Sequence, residues 1–149
     1  MQQAVQKVFH GHKLGRVIVL NLKRGDLLLE SICEHLEKEG VKNAVLVSIV
    51  GSLRKLVYHR PLNFNMSAED EFITVEAPME IGSVTGTVIN GKPHFHVVAA
   101  DLEKTHVGHL EKGTEVLYLA EIVLCEIEGL NIDRLLDENN TAYFAEIKS

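Results

Sequence analysis

The 149-residue chain contains no tryptophan, two cysteines, three prolines and only 5% aromatic residues. Cys33 and Cys125 lie singly within a helical and a strand pattern, which predicts reduced, buried thiols rather than a disulfide framework. No apolar run approaches the roughly 18–20 residues that span a membrane. Residues 1–4 lack the basic region and apolar core of a signal peptide. These absences predict a cytoplasmic protein that does not enter the membrane.

The chain also lacks an excess of basic residues. It has 15 lysines and arginines against 21 acidic residues, a net charge of −6, which disfavours broad electrostatic attachment to DNA or anionic lipid. We divide the chain into an N-terminal lead-in, residues 1–15, and a single domain, residues 16–149, which is long enough to bury its own core. The His10-Gly11-His12 triplet in the lead-in carries little weight as a metal site.

Hydrophobic periodicity predicts one helix among about eight strands. Asp26 is the expected cap of a helix that runs to Glu39 and stops at Gly40. The segment 16–22 is largely apolar on both faces, which predicts a central strand. The remaining strand patterns cover 44–50, 53–59, 72–77, 80–89, 94–100, 116–127 and 142–147. An Asn90-Gly91 turn precedes the strand that starts at residue 94. Together these elements predict an α+β fold, a single domain with a mostly antiparallel sheet packed with one main helix.

Four of the eight histidines lie between positions 94 and 109. Side chains alternate along a strand, so His94 and His96 point to the same face. A four-residue hairpin loop at 101–104 would place His109 opposite His96, since directly opposed residues share a face. The same register turns His106 to the other face. The spacing therefore predicts three imidazoles that converge on one point.

Three neutral imidazoles can hold Zn²⁺ at roughly 2.0–2.1 Å and leave a fourth position open. The alternative is a set of strand histidines that are satisfied by hydrogen bonds. We favour a metal because the flanking residues are apolar and because Gly108 allows close approach beside His109. The prediction depends on the register, since a slip of one residue would turn His109 away.

Six segments resemble, in order, the plants-and-prokaryotes conserved (PPC) domain in its stand-alone prokaryotic form. They are Arg16–Leu22 with Gly25–Leu28, Ser48–Arg54, Glu80–Gly86, Gly91–His96, Gly108–Leu110 and Ala120–Val123. The resemblance implies a homotrimer, a divalent metal such as zinc held by His94, His96 and His109, and a DNA-binding or regulatory role. Val107 departs from the family's usual Gly-Gly-His-Leu. The Arg-Gly-Arg AT-hook of the plant members does not occur in this sequence.

Two main functions follow as hypotheses. The first is a regulatory module that associates with DNA or with a DNA-bound protein, although only Lys23-Arg24 and Arg54-Lys55 are adjacent basic pairs. The second is a metal-dependent enzyme acting on a small carboxylate or carbonyl substrate, since the family's fold is similar to that of acetolactate decarboxylase. A third possibility is a structural metal in a trimeric scaffold.

The enzyme hypothesis needs an acid/base and an anion clamp. Glu80 and Glu121 are the candidate acid/base groups, and Arg54 is the candidate clamp for a small acid at the metal. Glu121 lies in a largely apolar run, where a carboxylate is costly unless it is paired. A structural hydrogen bond explains that position equally well.

Overall fold

A computed structural model describes residues 7–148 of the chain. Residues 1–6 of the predicted lead-in, including the four that bear on the signal peptide, lie outside the described part. One helix and eight strands follow one another as β1 Lys13–Lys23, α1 Leu28–Lys38, β2 Ala44–Pro61, β3 Asp70–Ile89, β4 Lys92–Ala100, β5 Thr105–Leu110, β6 Glu115–Glu128, β7 Ile132–Leu136 and β8 Ala142–Glu146. The predicted α+β class is confirmed. Within residues 7–148, no helix has the length and apolar character that crossing a membrane requires.

Six strands form an antiparallel sheet in the order β1-β6-β2-β3-β4-β5. Strand β5 also pairs with β2, which closes β2, β3, β4 and β5 into a ring. Strand β2 can serve both neighbours because it is 18 residues long. Its first part pairs with β6 and its end pairs with β5, where Tyr58 lies opposite Leu110. The strands β7 and β8 form a separate hairpin.

The helix packs its apolar stripe against one face of the sheet. Leu28, Leu29, Ile32 and Leu36 are buried in the same core cluster as the inner residues of β1, β2 and β6. Gly40 has a φ of +68° just after the helix, as predicted for a left-handed stop. The predicted helix cap at Asp26 is wrong. Its carboxylate instead accepts the backbone N–H of Lys23 at 2.9 Å, and the N-cap position, Leu27, has no side-chain cap.

The first strand lies at the edge of the sheet and pairs only with β6, so its predicted central position is wrong. Leu22 is buried on the face that α1 covers. On the other face Val17 and Val19 are 66% and 69% exposed. The apolar residues on both faces therefore reflect a core on one side and an uncovered apolar surface on the other. The strand begins at Lys13, within the segment predicted as a lead-in.

Two pairs of predicted strands are continuous in the structure. Segments 44–50 and 53–59 are one strand, β2, whose register with β6 shifts next to Gly51. A Cβ atom at Gly51 would overlap the carbonyl oxygen of Leu119, so the missing side chain lets the two backbones approach closely. Segments 72–77 and 80–89 likewise form β3. The predicted turn at Asn90-Gly91 is confirmed by positive φ angles of 48° and 75°.

The C-terminal hairpin packs beside β3 and β4. Lys92 in β4 contacts Asp133 in β7 at 2.8 Å, and the N–H of Ala68 donates to the carbonyl of Asn139 at 2.8 Å. The sequence predicted β8 but missed β7, Ile132–Leu136. The missed strand matters because it forms part of a cavity wall.

Candidate metal centre

The hairpin of β4 and β5 has the register that the histidine spacing predicted. His96 lies opposite His109, and His106 lies opposite Ala99. Asp101 holds the four-residue loop between β4 and β5. Its Oδ1 accepts the backbone N–H groups of residues 103 and 104, each at 2.8 Å. Val107, which departs from the family pattern, stays in regular pairing with Val98.

Three imidazoles meet on the outer face of this hairpin. The Nε2 atoms of His94 and His96 are 3.3 Å apart. The ring of His109 lies 4.8 Å from that of His94 and 5.8 Å from that of His96, measured between centroids. One nitrogen from each ring falls within 4.8 Å of the other two. His96 is exposed, and the other two rings are half-buried.

The separation of the first two nitrogens suits a tetrahedral ion. Ligands that bind Zn²⁺ at 2.0–2.1 Å with tetrahedral angles lie about 3.3 Å from one another. His94 and His96 already have that spacing. The donor set is all imidazole nitrogen, which zinc and neighbouring transition metals accept. The residues present therefore fit the metal that the sequence predicted.

Electrostatics keeps the imidazoles available as ligands. Burial, with smaller effects from the neighbouring His59, His94, His96 and Arg134, lowers the pKa of His109 to about 4. Burial also lowers the pKa of His94, followed by the effect of the Arg134 cation. Both rings are therefore neutral near pH 7, the form whose nitrogen lone pair binds a metal.

His59 joins the cluster, although the sequence did not single it out. It lies opposite His109 in the β2–β5 pairing, and the two rings stack at 4.3 Å. Its Nδ1 is 2.6 Å from the Oε1 of Glu111, and its Nε2 is 3.7 Å from the Oδ2 of Asp70. His59, His109 and Glu111 form a second group with the spacing of metal ligands. No local sequence pattern marks His59, because its place beside His109 depends on the pairing of β2 with β5.

Gly108 permits the pairing of β5 with β2. A Cβ atom there would lie 2.5 Å from the carbonyl oxygen of His59 and 2.5 Å from a ring carbon of Tyr58. Real Cβ atoms do not approach this closely, so a side chain at 108 would push β5 away from β2. The predicted close approach at this glycine is confirmed.

A cavity of about 530 Å³ opens beside the histidines. The end of β2, the edge of β4 and β5 and the C-terminal hairpin provide its walls. The hairpin contributes Arg134, a second residue that the sequence analysis did not find. The residues that line the cavity are His59, Arg60, Pro61, Ala68, Asp70, Pro93, His94, His96, Gly108, His109, Arg134, Leu136, Asn140 and Ala142.

The candidate acid/base groups and the candidate clamp do not line this cavity. Glu80 and Glu121 are both exposed. Arg54 forms an ion pair with Glu115, with 3.3 Å between Nη1 and Oε1. In the single chain, Glu121 therefore does not carry the burial cost that its apolar neighbours suggested. Among residues 7–148, neither His10 nor His12 belongs to a group of three side chains with the spacing of metal ligands.

His106 turns into the core, away from the cluster, as the register predicted. It is 4% exposed, its Nε2 lies 2.9 Å from the Oδ2 of Asp101, and its Nδ1 lies 3.4 Å from the hydroxyl of Tyr58. The hydrogen bond from His106, with those from the loop backbone, lowers the pKa of Asp101 to about 2. His106 and Asp101 thus brace the loop that sets the register.

Comparison with known proteins gives a consistent result. Residues 10–128 match the Plants and Prokaryotes Conserved (PCC) domain. A plant- and prokaryote-conserved protein from Pyrococcus horikoshii is 27% identical, with a TM-score of 0.77 over 98% of this chain and 100% of that one. A metal-containing protein from Archaeoglobus fulgidus is 25% identical, with a TM-score of 0.77 over 96% and 100%.

A third structure, from Bacteroides thetaiotaomicron, is provisionally described as a DNA-binding protein. It is 16% identical, with a TM-score of 0.72 over 94% of this chain and 99% of that one, so it supports the fold alone. The chain matches none of the curated proteins with which it was compared.

Proposed function

Since the chain belongs to the Plants and Prokaryotes Conserved (PCC) domain family, we propose that it binds one divalent transition metal ion, with zinc as the first candidate. His94, His96 and His109 are the proposed ligands. The observation that carries the proposal is the 3.3 Å between the Nε2 atoms of His94 and His96, which suits a tetrahedral ion. The similarity to a metal-containing archaeal protein supports it.

We prefer this set to the second one, which shares His109. His59 Nδ1 and Glu111 Oε1 already form a hydrogen bond of 2.6 Å, which an ion held by those two atoms would displace. The nitrogens of His94 and His96 have only each other as close partners among the described residues. Binding a metal through both nitrogens would therefore replace only this one contact.

The proposed site would leave at least one coordination position free beside the cavity. A metal ion held by three neutral imidazoles polarises a carbonyl or lowers the pKa of a bound water. His59 lines the cavity and has its ring held by Glu111 on one side and by His109 on the other. The arrangement supports a metal-dependent enzyme for a small substrate. We propose catalysis as the preferred role of the metal.

The test is the metal content of the full chain. We expect about one zinc per chain after loading and extensive dialysis, measured by inductively coupled plasma mass spectrometry. A metal content near zero, with the protein folded, would refute the proposal. The same measurement on a His59→Ala protein distinguishes the two ligand sets, because only the second set includes His59.

A DNA-associated regulatory role is the second candidate function. It is suggested by the descriptions of two structural neighbours as provisionally DNA-binding, although at 16% and 20% identity they share only the fold with this chain. The net charge of −6 opposes direct phosphate contacts. The described residues also contain a single helix, and therefore no helix-turn-helix. We propose that any such association acts through a partner protein.

We further propose that the protein assembles as a homotrimer in the cytoplasm. The apolar face of β1, which α1 does not cover, supports assembly, because Val17 and Val19 are largely exposed there. Val50 continues this face on β2 and is 58% exposed. The two free cysteines are compatible with a reducing compartment.

A further inference from the structure

The guanidinium of Arg134 is a half-buried charge without an acidic partner. No carboxylate among the described residues lies within 4.0 Å of it. Asp133, its neighbour in the chain, is engaged by Lys92 at 2.8 Å. Charged groups that leave water are normally paired, because burial alone costs free energy. Apart from the more distant charge of Asp133, the Arg134 guanidinium therefore has no carboxylate partner in residues 7–148.

The same guanidinium is held firmly in place. Nη1 donates to the carbonyl of Lys92 at 3.0 Å, and Nη2 donates to the hydroxyl of Thr87 at 3.4 Å. The ring of Phe144 lies 5.4 Å from its Cζ atom. An arginine has five N–H donors, and these two bonds use two of them. Three donors in a fixed plane remain for a ligand.

Arg134 also lies on the wall that the histidines share. It lines the 530 Å³ cavity and an adjoining one of about 230 Å³, and His94 and His96 line both. A divalent ion bound by three neutral imidazoles would keep its full charge, because none of its ligands is an anion. The metal and Arg134 together would create a positive centre that attracts an anion.

We propose that this centre selects a small carboxylate, which binds at the open metal position with Arg134 as its specificity-determining residue. This inference rests on the proposed metal site. The planar donor fork of arginine matches the two oxygens of a carboxylate. The sequence analysis assigned the anion-binding role to Arg54. We assign it to Arg134 instead, because Arg134 lines the cavity and Arg54 does not.

The other charged residues of the cavity favour a monoanion over a phosphate dianion. Arg60 is paired with Glu71 at 3.1 Å, which leaves Arg134 as the one lining arginine without a carboxylate partner in the described part of the chain. Asp70, which lines the cavity, and Glu111, which lies behind His59 outside the lining, add negative charge on that side. A second negative charge on the ligand would meet repulsion there.

The test uses the full chain loaded with Co²⁺, whose visible absorption changes when a ligand enters its coordination sphere. Metal content is measured first, and then acetate, chloride and inorganic phosphate are titrated separately. We expect acetate to perturb the spectrum at lower concentration than phosphate. Arg134→Gln should weaken acetate binding roughly 10-fold or more, while the metal content stays unchanged.

Two further variants separate recognition from structure. Arg54→Gln is the matched control and should leave the acetate titration unchanged, since Arg54 is paired with Glu115 outside the cavity. Arg134→Lys keeps the positive charge but lacks the planar pair of N–H donors, so it should lose the preference for acetate over chloride. If Arg134→Gln does not fold, this lysine variant decides the question.

Each outcome has one meaning. If the wild-type chain takes up no metal, both the proposed function and this inference fail. If the metal binds but acetate gives equal titrations with wild type and Arg134→Lys, only the role of Arg134 fails. A stronger response to phosphate than to acetate would refute the carboxylate as the ligand class.

Discussion

At the residue scale, metal binding is expected to depend on three of the four histidines that lie close together. His94→Ala, His96→Ala and His109→Ala should each reduce bound zinc from about one per chain to near zero, because two imidazoles hold Zn²⁺ poorly against water. His59→Ala should retain the metal. The measurement is metal content after dialysis. Retention in His94→Ala together with loss in His59→Ala would show that the ion uses the second ligand set.

His106→Ala should separate stability from metal binding. The ring is buried and contacts Asp101 and Tyr58, so its removal leaves a cavity and unpaired polar groups. We expect the free energy of unfolding to fall by about 1–3 kcal/mol, with metal content unchanged because the ring faces away from the cluster. Denaturant unfolding and metal analysis test the two parts. Loss of metal from the folded variant would contradict the register as the basis of the site.

Asp101 should give the hairpin loop a stability that depends on pH. Its pKa is about 2 in the folded chain, against 3.8 for the free side chain. A lowered carboxyl pKa stabilises the fold above about pH 3.8, and this contribution is lost as the pH falls toward 2. Asp101→Asn should therefore be less stable than wild type at pH 7, and the difference should shrink as the pH falls to 2 and vanish below it.

Glu103→Gln in the same loop is the matched control for Asp101. Its side chain makes no hydrogen bond or ion pair among residues 7–148, so the pH dependence of unfolding should remain close to that of wild type. Chemical denaturation followed between pH 2 and 7 measures both variants. A difference between wild type and Asp101→Asn that persists unchanged to pH 2 would contradict the ionic role of Asp101.

At the scale of elements, closure of the strand ring depends on Gly108. Gly108→Ala places a Cβ atom 2.5 Å from the carbonyl oxygen of His59, so β5 and β2 must separate. We expect destabilisation of roughly 1–3 kcal/mol and weaker metal binding, since His109 follows directly. Gly82→Ala in β3 is the control, because its Cβ would meet the nearest atom at an ordinary 3.5 Å. Equal effects of the two substitutions on unfolding and metal affinity would show that the pairing of β5 with β2 does not require a glycine at position 108.

At the scale of the whole molecule, the exposed valine face should form the contact between chains. Three chains of 16.6 kDa give a particle of about 50 kDa, which light scattering should detect. Val19→Asp places a charge in the proposed interface and should release monomers. Val8→Asp, another exposed valine at 77% but outside the sheet, is the control and should remain trimeric. A wild-type monomer or dimer would refute the trimer.

The net charge of the molecule makes a prediction about DNA. With 21 acidic residues against 15 basic ones, the chain should bind random duplex no better than about millimolar at physiological salt. Fluorescence anisotropy with a labelled duplex over a range of salt concentrations measures this. Micromolar binding with a steep salt dependence would show phosphate contacts and would favour a direct DNA-binding role.

Features that depend on neighbouring residues in the chain could be predicted before the fold was known. The α1 stripe, the turn at Asn90-Gly91 and the β4–β5 register all follow from short-range periodicity and loop length, because a hairpin fixes which residues face each other. Opposition of His96 and His109 was therefore predictable. The family resemblance was confirmed by the match over residues 10–128.

The surroundings of the histidines depend on contacts between segments that are distant in the chain. His59 is 50 positions from His109 in the chain and reaches it through the β2–β5 pairing, which no local pattern specifies. Arg134 enters the cavity because the C-terminal hairpin docks through Lys92. The edge position of β1 was also hidden, since an apolar alternation does not say whether its second face meets a core or remains uncovered. Contacts between distant segments depend on how the faces pack, and periodicity along the chain contains no information about that choice.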